Sequence, residues 1–250
     1  MLQVYEHLAL PEAAYLGKRV YKKLFFENAE LSAADRRTFT DDMETVTWQY
    51  TLKPSTLPVS VYQDDERDYS ELAVIEVELR DAKRAQRLAE IIHRAIPYPL
   101  LLILMQSNGL VVSRAHKRAS RAERGAAVAE EIQTTAWMDG EAPEAIEQAF
   151  LQSLTLRQQR QSHYYALYDG WHQRLLALAC ARLNGTFRVP SRPEQQKQRR
   201  ETLTECHRLE GEISRLRAEI KKETRFNRQV ELNTRIKQLE QQLQLATAGL

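Results

Sequence analysis

A chain of 250 residues is long enough for one or two domains, each with a buried core. Its formal net charge is only +2, so any nucleic-acid site must be a local feature and not an effect of the overall field. The 2 cysteines show neither a CxxC pair nor metal-ligand spacing. The opening residues lack a signal-peptide pattern, and no apolar run is long enough to cross a bilayer. These features predict a cytoplasmic protein that makes no contact with a membrane.

The first predicted elements are a helix capped by Ser32 and a strand that begins near Thr45. Large and polar residues alternate along this strand, and Pro54 ends it. Strict alternation predicts that one face of the strand carries Val46, Trp48, Tyr50 and Leu52.

The segment "ELAVIEVELR" (71–80) predicts a second strand, with Glu76 and Glu78 on the face opposite Ile75. An Asp cap opens the amphipathic helix 81–96 that follows it.

Next comes "LLLILMQ", which is apolar on both faces, as a central strand is. Asn108-Gly109 then predicts a tight hairpin turn into a returning strand. This order of elements predicts an α+β fold, in which a mixed, mostly antiparallel sheet carries helices on one face.

The remainder of the chain is predicted to be helical. Helices between 140 and 189 form a connector after an α+β head domain that spans 1–139, and a proline-containing linker leads into an arm that spans 190–250. Apolar residues recur in the arm at steps of three and four, which predicts a coiled coil through which the chain could also associate with itself.

The apolar seam of the arm is interrupted by "KKETRFNRQVELN" (221–233), because the seam before Ile220 is out of phase with the seam after Leu232. The break is explained either by a change in winding within one long helix or by a turn between two antiparallel helices. No glycine or proline lies in the segment, which favours a single helix with a stutter.

Aromatic and arginine side chains ringed by polar groups are typical of binding hot spots. The interrupted segment therefore predicts a partner-binding patch, although its asparagines are equally typical of solvent-facing or register-fixing positions. The patch consists of Arg225, Phe226, Asn227, Arg228, Val230 and Asn233.

A second candidate site is the basic stretch that follows the hairpin. Clusters of this kind contact nucleic-acid phosphates without sequence specificity, while the structural alternative is a solvated basic surface that pairs with acidic loops. The predicted nucleic-acid-binding residues are Arg114, Lys117, Arg118, Arg121 and Arg124.

Motifs for catalysis are absent from the sequence. Neither a phosphate-binding glycine loop nor an HExxH pattern occurs, so we expect no cofactor, no metal and no enzymatic activity of the chain alone. The alternative is a degenerate or unusual magnesium nuclease, since Glu76 and Glu78 follow the acidic segment 64–68 and carboxylates bind magnesium. The lysine that such sites carry is missing from the strand.

Five segments together resemble an uncharacterised bacterial family, defined as a domain of unknown function. They are "KKLFFEN", "TWQYTLKPSTLPV", "AIPYPLLLIL", "HKRAS" and "KKETRFNRQVELN". Members of that family tend to be encoded beside helicases and DNA methyltransferases in phage-defence or restriction-like loci. The resemblance implies a helicase or methyltransferase partner and carries over no catalytic residue.

Overall fold

The structure is a computed structural model that describes residues 3–28, 31–120 and 127–250. Contacts divide the chain into two compact units, Met1–Leu175 and Leu176–Leu250. This division lies inside one helix, Tyr164–Asn184, so it does not coincide with the domain boundaries predicted at 139 and 189.

Helices and strands alternate irregularly along the described chain. The α-helices are α1 (Gln3–Leu8), α2 (Lys22–Asn28), α3 (Ala33–Asp42), α4 (Ala85–Ala95), α5 (Ala145–Ser153), α6 (Tyr164–Asn184), α7 (Pro193–Ile220) and α8 (Phe226–Ala248). The strands are β1 (Tyr15–Arg19), β2 (Met43–Leu52), β3 (Tyr62–Gln63), β4 (Asp68–Tyr69), β5 (Leu72–Leu79), β6 (Leu100–Gln106), β7 (Gly109–Ala119), β8 (Ala127–Thr134) and β9 (Met138–Asp139). Short 3-10 turns lie at Glu12–Ala14, Ala82–Arg84 and Leu156–Gln158.

The main sheet of the first unit has the strand order β1-β2-β5-β6-β7-β8, and β9 also pairs with β7. β5 and β6 are parallel, while the other pairings described within this sheet are antiparallel. β3 and β4 form a separate two-stranded ribbon. The prediction of a mixed, mostly antiparallel sheet is therefore confirmed.

Helices cover both faces of this sheet, so the prediction of helices on one face is wrong. On one face, Ile75 of β5 packs in a core with Phe39 of α3 and Leu88 of α4. On the other face, Tyr5 of α1 contacts Glu76, and Tyr168 of α6 binds the backbone of β6 and β7. The physical reason is that the central strands are apolar on both sides, and both sides must be removed from water.

The predicted alternation along β2 holds from Thr45 to Trp48 only. Trp48 pairs with Ile75, but Tyr50 pairs with Val74, with a β-bulge between these two pairs. A bulge inserts one extra residue and reverses which face the later side chains occupy. Tyr50 therefore lies on the face of Glu76 and not on that of Trp48.

Local signals account for several of the connections. The Ser32 hydroxyl accepts a hydrogen bond from the Asp35 N–H at 3.1 Å, which confirms the predicted cap of α3. The β6–β7 hairpin forms where predicted, but Gln106 pairs with Gly109, so its two loop residues are Ser107 and Asn108. Ser107 takes the positive φ of 51° that the tight turn requires.

In the second unit, α7 and α8 form an antiparallel helical hairpin. Arg217 pairs with Glu240 at 2.7 Å and Arg235 with Glu212 at 3.3 Å, so the ends of the helices run in opposite directions. The predicted single helix with a stutter is therefore wrong. The apolar seam packs in one cluster that contains Leu209, Ile213, Leu216, Leu232, Ile236 and Leu239.

None of the helices described in the structure combines the length and the apolar character needed to span a membrane.

Candidate functional site

The predicted nucleic-acid-binding residues do not form one exposed surface. Arg114 is 0% and Lys117 is 3% exposed, both within strand β7. Arg118 is half-buried and pairs with Glu130 at 2.5 Å. Arg121 and Arg124 lie outside the described residues, so the structure leaves their predicted role open. Among the predicted residues that the structure describes, only Arg118 contacts solvent.

Arg114 lies between β7 and α6, where its guanidinium is removed from water. Its Nη1 is 2.7 Å from Nδ1 of His172, and its carbon Cζ lies 5.4 Å from the ring centre of Tyr168. Its Nε and Nη2 have no hydrogen-bond partner among the described residues. Burial lowers the pKa of Arg114 below its ordinary value. A guanidinium in this position stabilises a buried polar layer and is inaccessible to a phosphate.

His116 belongs to the same polar layer. The Tyr69 hydroxyl accepts the backbone N–H of Lys117 at 3.1 Å and lies 2.6 Å from Nδ1 of His116. The Asp169 carboxylate lies 3.6 Å from Nε2 and favours the neutral tautomer with its proton on Nε2, in which Nδ1 accepts the hydroxyl proton of Tyr69. Burial lowers the pKa of His116 to about 4 and outweighs the opposing effect of Asp169.

Lys117 and Ser113 face the opposite side of β7, against α4. The Lys117 ammonium donates to the backbone oxygens of His93 and Ile96, the latter at 2.7 Å. These oxygens belong to the C-terminal turn of α4, which lacks partners within its own helix. Burial lowers the pKa of Lys117 to about 7. Lys117 therefore caps a helix, a role that a count of basic residues in the sequence does not reveal.

The carboxylates of the nuclease alternative lie in separate environments. Glu76 accepts hydrogen bonds from Tyr5 and Gln49, and Glu78 accepts one from Thr45. Asp64 instead accepts backbone N–H groups within the turn that joins β3 and β4. In the part of the chain that the structure describes, no three potential metal-ligating side chains form a group.

The predicted partner-binding residues do come together, at the tip of the hairpin. The tip is the segment from Lys221 to Asn233, where α7 ends and α8 begins. Glu223 closes its turn: one carboxylate oxygen accepts the backbone N–H groups of Thr224 and Arg225, and the carboxylate also pairs with the Arg225 side chain. These hydrogen bonds from Arg225 lower the pKa of Glu223 to about 2.

Large apolar side chains on the tip face solvent. Phe226 is 75% exposed and Val230 is 47% exposed, whereas Leu232 on the inner side of α8 is 4% exposed. Phe226, Val230 and Asn233 follow each other at the spacing of one helix face. The remaining members of the patch, Arg225, Asn227 and Arg228, are exposed beside them.

Arg228 is held in place by acidic neighbours. Its guanidinium lies 2.9 Å from Glu231 and 3.6 Å from Glu219, which belongs to the last turn of α7. Exposed ion pairs of this kind add little stability, so their main effect is to order the arginine beside Phe226. The tip therefore presents an apolar centre with an ordered polar rim.

Comparison with known proteins identifies a family. No curated protein and no solved structure matches the chain. A family model described as a domain of unknown function, DUF4391, matches residues 8–243, which is most of the chain. The protein therefore belongs to the DUF4391 family.

Proposed function

We propose that the chain is a non-enzymatic accessory subunit of a bacterial phage-defence system, which docks through its helical hairpin onto a larger helicase or DNA methyltransferase. The observation that carries the proposal is the exposure of Phe226 beside Val230 at the tip. The class of partner comes from the family resemblance and its genomic setting. In this proposal the arm packs as a coiled coil along its length and leaves the tip for the partner.

The composition of the tip supports docking over a purely structural role. Phe226 lies outside the packed seam of α7 and α8, which is built from leucine and isoleucine. A phenylalanine side chain exposed to water makes no favourable contribution to stability, whereas in an interface it buries a large apolar surface. Arginine and aromatic residues at the centre of an interface carry much of its binding energy.

The first expected result concerns the double variant Phe226→Ala with Val230→Ala. Its free energy of unfolding should fall by about 1 kcal/mol or less, because both side chains are exposed. Its affinity for the proposed helicase or methyltransferase partner should fall at least tenfold, which corresponds to about 1.4 kcal/mol. Co-expression followed by gel filtration and calorimetric titration measures both quantities.

Leu245→Ala provides the matched control for this variant. Leu245 is 74% exposed on the same helix but far from the tip, so its replacement should leave partner binding unchanged. Intact binding by the double variant would remove the tip as the docking site. A large loss of stability in the double variant would instead identify Phe226 as a packing residue.

We also propose that the basic stretch after the β6–β7 hairpin contacts nucleic-acid backbone through Arg118 in β7, together with Arg121 and Arg124, which lie outside the described residues. The charge reversal of these three residues to glutamate should weaken binding of all DNA or RNA sequences alike and reduce the salt slope by roughly one for each lost phosphate contact. Fluorescence anisotropy at several salt concentrations measures this effect. Lys197→Glu, an exposed site on α7, is the control. Unchanged affinity and salt slope in the triple variant would exclude this surface.

A further inference from the structure

A cleft opens on the first unit where α1 approaches β1, β2 and β5. It encloses about 690 Å³, a volume within the usual range for small-molecule sites. We call it the tyrosine cleft, because Tyr5, Tyr15 and Tyr50 line it, together with the carboxylate of Glu76. Neither the predicted partner-binding patch nor the basic cluster includes any of these residues.

The β-bulge in β2 creates this cleft. Without it, Tyr50 would lie beside Trp48 in the core between the sheet and α4. The bulge moves Tyr50 to the opposite face, where Gln49 also reaches Glu76. Bulges recur where a fold redirects a side chain toward a functional site.

The three tyrosine rings pack against one another and form one wall of the cleft. The ring centres of Tyr5 and Tyr50 are 5.9 Å apart with planes inclined by 34°, and those of Tyr15 and Tyr50 are 5.4 Å apart at 67°. At these separations the rings touch one another, so a ligand lies against this aromatic wall and not between the rings. Aromatic rings carry negative charge on their faces, so the wall attracts a cation.

The backbone conformation of β1 fixes the position of the Tyr15 ring. Its ring lies over Gly17, which has a φ of 59°, and a β-carbon at Gly17 would lie within 2.6 Å of the Tyr15 hydroxyl. Glycine is needed there both for the left-handed backbone and for the close approach of the ring. Although Tyr15 is 58% exposed, its ring is therefore held against the cleft by the strand that carries it.

Glu76 is fixed at the cleft by two donors. The Tyr5 hydroxyl donates to its Oε2 at 2.6 Å and the Gln49 amide donates to its Oε1 at 3.1 Å. A carboxylate accepts about four hydrogen bonds, so each oxygen keeps capacity for a ligand. Burial, reinforced by Glu76, raises the pKa of Tyr5 well above its ordinary value, so Tyr5 stays a donor.

Charge decides the class of ligand. Glu12 and Glu76 are the charged residues among the described lining, which contains no lysine, arginine or histidine. An anion such as a phosphate would meet like charge in this cleft, whereas a cation meets a carboxylate and aromatic faces together. We propose that the tyrosine cleft binds an organic cation, an alkylated ammonium or a guanidinium group, between its tyrosine rings and Glu76.

Choline and its neutral carbon isostere 3,3-dimethyl-1-butanol test the proposal on the full chain. Because the two probes share shape and differ in charge, choline should bind at least tenfold more tightly in calorimetric or NMR titrations. Glu76→Gln keeps the size of the side chain and removes its charge, so it should abolish most of this preference. Arginine methyl ester serves as the guanidinium probe.

Tyr15→Leu tests the aromatic contribution at an exposed position that tolerates replacement. We expect it to weaken choline binding by roughly 5-fold or more, in line with one cation–π contact. Tyr21→Leu is the matched control, because Tyr21 is 68% exposed and does not line the cleft. The thermal unfolding temperature of each variant shows whether weaker binding comes from loss of the site or from loss of the folded structure.

Several results would overturn the proposal. They are equal binding of choline and its neutral isostere, unchanged choline affinity in both the Glu76→Gln and the Tyr15→Leu variants, and no saturable binding of either cationic probe.

A short glycine-flanked peptide that carries trimethyl-lysine distinguishes the source of the cation. Tighter binding of the peptide than of choline assigns the site to a protein side chain, and equal binding assigns it to a free small molecule.

Discussion

Replacement of Arg114 by glutamate is expected to destabilise the protein by about 4 kcal/mol or more, which is a large part of the roughly 5–15 kcal/mol by which an ordinary domain is stable. The new carboxylate would lie 0% exposed beside Tyr168 and His172, and near the acidic side chains of Glu131 and Asp169. A buried charge without a partner is among the few causes of losses this large. Urea denaturation followed by circular dichroism measures the change, and insoluble expression is the extreme outcome.

Arg114→Met is the informative companion variant. Methionine keeps much of the side-chain length and removes the charged guanidinium. The Nε and Nη2 atoms of that guanidinium have no partner among the described residues. The methionine removes the donor to Nδ1 of His172 but adds no buried charge, so we expect a loss of about 1–3 kcal/mol, smaller than that of Arg114→Glu. A stable, folded Arg114→Glu protein would show that the side chain reaches solvent and would return Arg114 to the nucleic-acid-binding cluster.

The second large effect is a loss of stability in mild acid. Burial lowers the pKa of His116 from 6.5 to about 4, so the unfolded chain binds a proton in this interval and the folded protein does not. The contribution of His116 is therefore fully present above pH 6.5 and is lost as the pH falls toward 4. Its size is about 3 kcal/mol, from 1.36 kcal/mol for each pKa unit. His93, whose pKa burial lowers well below its ordinary value, acts in the same direction.

Urea denaturation between pH 7.5 and pH 4.5 tests this expectation. His116→Gln retains an acceptor for the Tyr69 hydroxyl and cannot be protonated, so its stability should depend less steeply on pH than that of the parent protein. Lys117, with a pKa lowered to about 7, also changes its protonation near the upper end of this range, but it does so in both proteins and therefore cancels in the comparison. His207→Gln, at an exposed position on α7, should keep the parent slope. Identical slopes for the parent and His116→Gln would show that His116 is not buried as a neutral imidazole.

Periodicity and capping residues were enough to predict the elements between residues 71 and 119. β5, α4 and the β6–β7 hairpin each have a strong local pattern, and all three are confirmed. The bulge in β2 left no such signal, because an extra residue is defined by its partner strand and not by its own sequence. The tyrosine cleft was missed for this reason.

The turn of the hairpin was missed because its closing residue is an ordinary one. Glu223 supplies side-chain acceptors to the backbone N–H groups that glycine or proline turns would otherwise arrange. The position of Phe226 outside the apolar seam could nevertheless be predicted from the sequence, while its role in partner binding stays a prediction. Burial of Arg114 and Lys117 could not be read from composition, because charge alone indicates a surface position for most arginines and lysines.

The polar residues of β7 also give the sheet a fixed alignment. Its neighbour β6 begins "LLLIL", and a shift of one residue there would replace one apolar side chain by another at little cost. The same shift in β7 would turn Arg114 and His116 toward α4 and Lys117 toward α6, away from His172, Asp169 and the carbonyl oxygens that hold them. Misaligned pairing would thus leave several buried polar groups without hydrogen-bond partners. The polar residues of β7 therefore determine the register in which the uniformly apolar β6 pairs with it.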